Sequence, residues 1–516
     1  MRKRLRILAI LATSTASLAA QAHPALARIR DLLQAGQTAA ARTELETLRQ
    51  SGPPDPRVLN LLGAVNAMER RFADAERSFR QAAQIAPQFI DPWLNLGRLY
   101  LEQADDRQAL ASFNTALRLD PANAEALFQS ASIDVRTGAY RQAALLIDRL
   151  PPAIRTRPHA QAIACAAHAG LGNPAQATAI ARRIAAAPDL AEADIDPVIP
   201  VLWKLRATEP AYILLDALHR RSLASAASRR RLALLEEEKG EYARARAVLE
   251  QIQPVTPDLL VELARLAYRG RDAKAALGYL AHARDQDEKN ATIHYLFGMI
   301  CASERLAVEA EKSLRRALEL GYRDPMARYA LGSVLAATGR AAEAVDEFRA
   351  FHAARPHEPA AALALGVALW SSGDSAAAKP HLAAASRQSG TAAPAEYFLG
   401  RLAQAEGNFE EAATRYDQTT KLNPAHADAW ADLALIHARE QRYSEAAAAL
   451  NRCLALDPDH LAGNLNLYVL YQRTGDPRAP AQRDRAEQLR TRRSAELESF
   501  WRTIRISPWE TSEIAR

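Results

Sequence analysis

Apolar residues in this chain recur at three- and four-residue intervals, the spacing that places side chains on one face of an α-helix. Within residues 90–123, Leu96 and Tyr100 make one such stripe, and Ala109, Phe113 and Ala116 make a second. Pro121 stops the second helix after Asp120. The pattern predicts two short helices packed as an antiparallel pair. A single pair cannot bury both of its apolar faces, so further copies have to stack against it.

Those copies form a lattice in the sequence. Ala276, Ala310, Ala344, Ala378, Ala412 and Ala446 follow one another at intervals of 34 residues. Gly298, Gly332, Gly366 and Gly400 recur twelve residues before an alanine of the series, and Leu280, Leu314, Phe348, Leu382, Tyr416 and Leu450 four residues after one. Upstream, Gly63, Ala75, Phe79, Ala82 and Pro87 reappear 34 residues later as Gly97, Ala109, Phe113, Ala116 and Pro121. A 34-residue unit of two helices carrying W, L-G, Y, A, F, A and P at fixed places resembles the tetratricopeptide repeat. Residues 90–123 match it throughout, with Trp93, Leu96, Gly97, Tyr100, Ala109, Phe113, Ala116 and Pro121. Residues 427–460 carry Trp430, Leu433, Ala434, Ala446, Leu450 and Pro458, with Cys453 in place of the third small residue.

The resemblance implies an all-α fold: a right-handed superhelical solenoid of stacked antiparallel helix pairs, about 14 units long, closed by a polar C-terminal capping helix. Repeats are expected over residues 23–158 and 226–478, a capping helix over 479–503 and a tail over 504–516. Between them, residues 159–225 lose the alanine lattice and carry prolines at 174, 188, 197, 200 and 210. That stretch reads either as a hinge in the array or as simple drift of the repeat.

The first residues read as a targeting segment. Met1-Arg2-Lys3-Arg4-Leu5-Arg6 is basic, residues 7–20 are apolar and small, and Ala20-Gln21-Ala22 is an A-x-A cleavage site. The expectation is a bacterial Sec-type signal peptide over 1–22, with the mature chain starting at His23 in the periplasm or outside the cell. Loss of Arg2, Lys3, Arg4 and Arg6 would lower the basic count from 66 to 62 against 60 acidic residues. The mature chain is then near neutral, which removes the case for nucleic acid. No later run is long and apolar enough to predict a membrane span.

Little in the sequence suggests chemistry. No P-loop, G-x-G-x-x-G, G-x-S-x-G or H-E-x-x-H motif occurs. No two of the 12 histidines stand three or four residues apart, and Cys165, Cys301 and Cys453 are isolated. Glu236, Glu237 and Glu238 read as a solvated helix face. The expectation is a protein that is not an enzyme and uses no cofactor or metal.

In the tetratricopeptide family the first helix of each unit lines a concave surface that holds peptides. Carried onto this chain, the fifth position of successive first helices gives Tyr295, Tyr329, Leu363 and Tyr397, the ninth gives Met299, Ser333, Val367 and Arg401, and Trp370 falls at a twelfth. Tyr295, Met299, Tyr329, Trp370, Tyr397 and Arg401 are therefore the candidate partner-binding strip, since aromatic, methionine and arginine side chains dominate interfaces. Packing of one first helix on the next would account for the same residues. The resemblance implies a scaffold that binds protein or peptide partners, for assembly of an envelope or export complex. The alternative is an accessory factor of polysaccharide export whose aromatic rungs hold a glycan.

Overall fold

The structure, a computed structural model, describes residues 24–492. The expected signal peptide, the end of the expected capping helix and the tail lie outside the described residues. Among the described residues there are 30 helices and no strand, and the helices run in fourteen antiparallel pairs. The chain divides into two compact units between Ile252 and Gln253, each holding seven pairs.

One pair shows why the sequence folds this way. The helix Asp91–Glu102 starts with Pro92 in its first turn, where the missing N–H costs nothing, and buries Leu94, Leu96, Leu99 and Tyr100. After a turn in which Ala104 takes the left-handed conformation at φ 59°, Asp105 caps the helix Asp106–Leu119 by accepting the Gln108 N–H. That helix buries Ala109, Phe113 and Ala116. Phe113 is fully buried. A Cβ on Gly97 would stand 2.5 Å from the Phe113 ring, so the ring lies against the bare glycine backbone of its own pair. The same wedge recurs as Phe79 on Gly63, Phe348 on Gly332 and Tyr416 on Gly400. Where a pair carries this glycine it is fixed by close approach, and the large fourth residue after the alanine fills the inside of the pair.

The weak middle of the sequence is helical and lies inside the first unit. Its clearest departure is in the sixth pair, where the first helix is broken into Glu192–Ile195 and Ile199–Lys204 around Pro197, with Pro200 in the first turn of the second piece. In the second unit the pattern is regular from Pro257–Arg269 with Ala273–Gln286 to Leu461–Thr474 with Ala479–Arg492. In the last pair Ala486 and Leu489 are buried, while Arg483, Asp484, Glu487 and Arg490 are exposed, which gives the end of the described array a polar face.

Candidate functional site

The six candidate residues all sit on first helices of the second unit, and the structure treats them in two groups. Tyr295 is fully buried and stacks on Tyr322 with ring centroids 4.4 Å apart. Met299 is buried. Tyr329 is buried against Phe348 at 5.6 Å and Phe351 at 4.9 Å, and burial raises the pKa of its hydroxyl. These three side chains pack inside the array. The expected strip therefore narrows, because a fifth-position tyrosine on these units turns toward aromatic residues of the second helix or the following loop.

Trp370, Tyr397 and Arg401 are brought together. The Arg401 guanidinium lies 5.4 Å above the centroid of Trp370, and its Nη1 donates to the Tyr397 hydroxyl at 3.2 Å. Tyr397 in turn donates to Asp432 Oδ2 at 3.2 Å, and Arg401 stands 3.9 Å from the same carboxylate. Trp370 also leans on Phe398 at 5.1 Å. Tyr397 is buried, Trp370 half-buried, and the Arg401 side chain keeps 40% of its surface exposed. Burial holds the Asp432 carboxyl above the usual carboxylate range, with Arg401 pulling the other way. The result is a guanidinium fixed by a ring and a hydroxyl, presented at a partly open face.

Sequence reasoning missed Asp432 and the exposed Leu435 and Leu465 on the next two first helices. Asp432 lies 35 residues beyond Tyr397, one rung along, and that spacing was the available signal. In the first unit the comparable positions close on themselves. Asn95 donates to Asn60 at 2.9 Å, Arg98 Nη1 donates to Asn95 at 2.8 Å, and Arg98 pairs with Glu125.

The other reactive residue types are occupied structurally. Cys165, Cys301 and Cys453 are free and buried, and burial pushes the first two thiols up to about 12. His460 Nδ1 accepts the Gly463 N–H at 3.0 Å as a helix cap, which leaves its proton on Nε2, 3.0 Å from Asp428 Oδ1. Among the described residues no three metal-binding side chains lie together, and no helix is long and apolar enough to cross a membrane.

A tetratricopeptide repeat model matches residues 26–88, 94–158, 308–359, 329–394 and 397–460, and a second such model matches 67–116. These segments take in more than half of the chain, and the chain belongs to the tetratricopeptide repeat family. Its fold is similar to that of a chain of the APC/C hetero-tetramer Cut9–Hcn1, at 13% identity and TM-score 0.38, covering 89% of this chain and 98% of that one. It is also similar to yeast Tom70, at 14% identity and TM-score 0.32, covering 87% and 99%. A third is the C-terminal part of a repeat protein from Cytophaga hutchinsonii, at 15% identity and TM-score 0.39, covering 46% and 98%. No curated protein matches the chain.

Proposed function

We propose that this chain is a non-catalytic scaffold, exported to the periplasm or beyond, that binds protein or peptide partners in assembly of an envelope or export complex. The observation that carries the reading is the run of fourteen helix pairs over residues 24–492, with models of a protein-binding repeat family matching segments within 26–158 and 308–460. Within each unit such an array offers an ordered surface and spends polar residues on caps and seams. The partner-binding strip is taken to centre on Trp370, Tyr397 and Arg401, where a fixed guanidinium and an indole share an open face.

The test is a pull-down from periplasmic extract with the chain beginning at His23, compared with its Trp370→Ala/Arg401→Ala form. Proteins held by the first and released by the second, at equal far-ultraviolet helix signal, support the strip. Undiminished retention by the double variant overturns it, and recovery of glycan alone promotes the polysaccharide reading. Export is tested separately by expressing the chain with its own residues 1–22. A periplasmic product starting at His23 supports it, and an unprocessed cytoplasmic chain sinks it.

A further inference from the structure

Neighbouring pairs of the first unit meet at a recurring place, the eleventh residue of one repeat against the twenty-first of the repeat before it, 24 residues earlier. At three seams this place holds a hydrogen bond. Arg42 Nη2 donates to Asn66 Oδ1 at 2.8 Å. Tyr100 donates to Glu76 Oε1 at 2.9 Å and accepts from Arg80 at 3.0 Å. Tyr212 donates to Glu236 Oε1 at 3.0 Å, with Arg244 bridging Glu236 and Asp216 at 2.8 Å each. The last two are the same latch with its partners exchanged, tyrosine and glutamate having swapped helices.

The three seams between these lack it. The equivalent pairs are Leu110 with Asp134, Ala144 with His168, and Thr178 with Leu202. Asp134 is buried, its Oδ2 has no hydrogen-bond partner, and the same is true of the Ser130 hydroxyl one turn earlier and of His168 Nδ1. Such atoms cost stability, but they occur on the latched helices too, at Trp93 Nε1, Ser228 Oγ and Arg229 Nε, so the missing latch and not the unpartnered atoms sets these seams apart. The secondary structure is also interrupted here: a four-residue piece Pro152–Arg155 follows the second helix of the fourth pair, and the first helix of the sixth pair is split.

We infer that residues 124–204 are a compliant segment built into the first unit, where pairs lack the latch, meet by apolar packing and, at the first of the three seams, by the ion pairs Arg98–Glu125 and Arg136–Asp106, and yield ahead of the latched pairs on either side. The latch matters because apolar contact between helices is non-directional, whereas a partly buried hydrogen bond fixes both sliding and rotation. A segment that lacks it opens locally at lower free energy than its surroundings.

Native-state hydrogen exchange on the full chain tests this. Amides of Ala124–Thr137 and Pro158–Gly170 should exchange about tenfold faster than those of Asp91–Glu102 and Ala226–Glu238. Grafting the latch as Ala144→Glu with His168→Tyr should slow exchange in Pro158–Gly170 toward the latched level, and Tyr100→Phe should speed exchange in Asp91–Glu102 toward the unlatched one. Uniform exchange across the four helices of the unaltered chain overturns the inference without need of any variant. So does a Tyr100→Phe chain that exchanges as before.

Discussion

In the first unit three seams carry a side-chain hydrogen bond at one fixed place in the repeat, near both ends of the unit, whereas the second ties its pairs at other places, by exposed ion pairs and by Tyr397 with Asp432 and His460 with Asp428. At the eleventh position, where the first unit holds Asn66, Tyr100 and Glu236 in hydrogen bonds, the second holds Ala267, Cys301, Leu335, Leu369, Ala403, His437 and Tyr471. Its successive pairs are bridged by ion pairs such as Arg340–Glu311 at 2.7 Å, Arg315–Glu343 at 3.3 Å and Lys379–Glu406 at 3.2 Å, all with well-exposed members. Exposed ion pairs contribute little and are screened by salt, whereas a partly buried hydrogen bond orients its two helices. The glycine-on-ring wedge is common to both units, so both share the apolar frame and differ in how neighbouring pairs are registered.

Six substitutions test that contrast, in falling order of effect. Phe113→Ala and Phe348→Ala empty equivalent wedges, and each should cost about 3–5 kcal/mol in urea unfolding; a large inequality between them would mean the two units do not share one frame. Asp134→Asn probes the unlatched seam. Burial pushes this carboxyl up to about 6 from 3.8, so the folded chain holds its proton more tightly than the unfolded one. Stability is therefore full below about pH 4 and declines as pH rises through 6, by on the order of 2 kcal/mol. The asparagine form should lose that slope, and a slope that persists between pH 4 and 7 assigns it to another group.

Tyr100→Phe removes one latch and should cost about 1 kcal/mol, nearly independent of salt. Arg340→Ala in the second unit should cost less, and its effect should vanish in molar salt; the opposite order of salt sensitivity would collapse the contrast. The smallest change is Ala104→Gly, which relieves a left-handed alanine at φ 59° and should stabilise the first unit by about 0.5 kcal/mol in thermal unfolding.

Among the candidate residues, the 34-residue ruler placed all six on first helices, but register alone does not say which way a ring turns. Tyr295 and Tyr397 occupy the same position in their repeats. One stacks on Tyr322 in the interior, and the other reaches Arg401 and Asp432 at the edge of an open face. The difference comes from residues outside the lattice, since Tyr322 sits in a loop and Asp432 lies one residue off the fifth-position series. The latches were hidden for a similar reason. Their partners lie 24 residues apart, off the 34-residue period, and they change identity between Arg–Asn, Glu–Tyr and Tyr–Glu.

The sequence by itself determined the helix pairs, their period and their number, because these follow from local spacing of apolar residues, from prolines and from glycines that must meet a ring. Tertiary structure alone decided which polar side chains meet across a seam and which are left buried without a partner. It also decided that Tyr295, Met299 and Tyr329 pack inside while Trp370 and Arg401 remain at a partly open face. Those outcomes depend on side-chain direction and on residues from three successive repeats meeting at one point, which no single-residue period encodes.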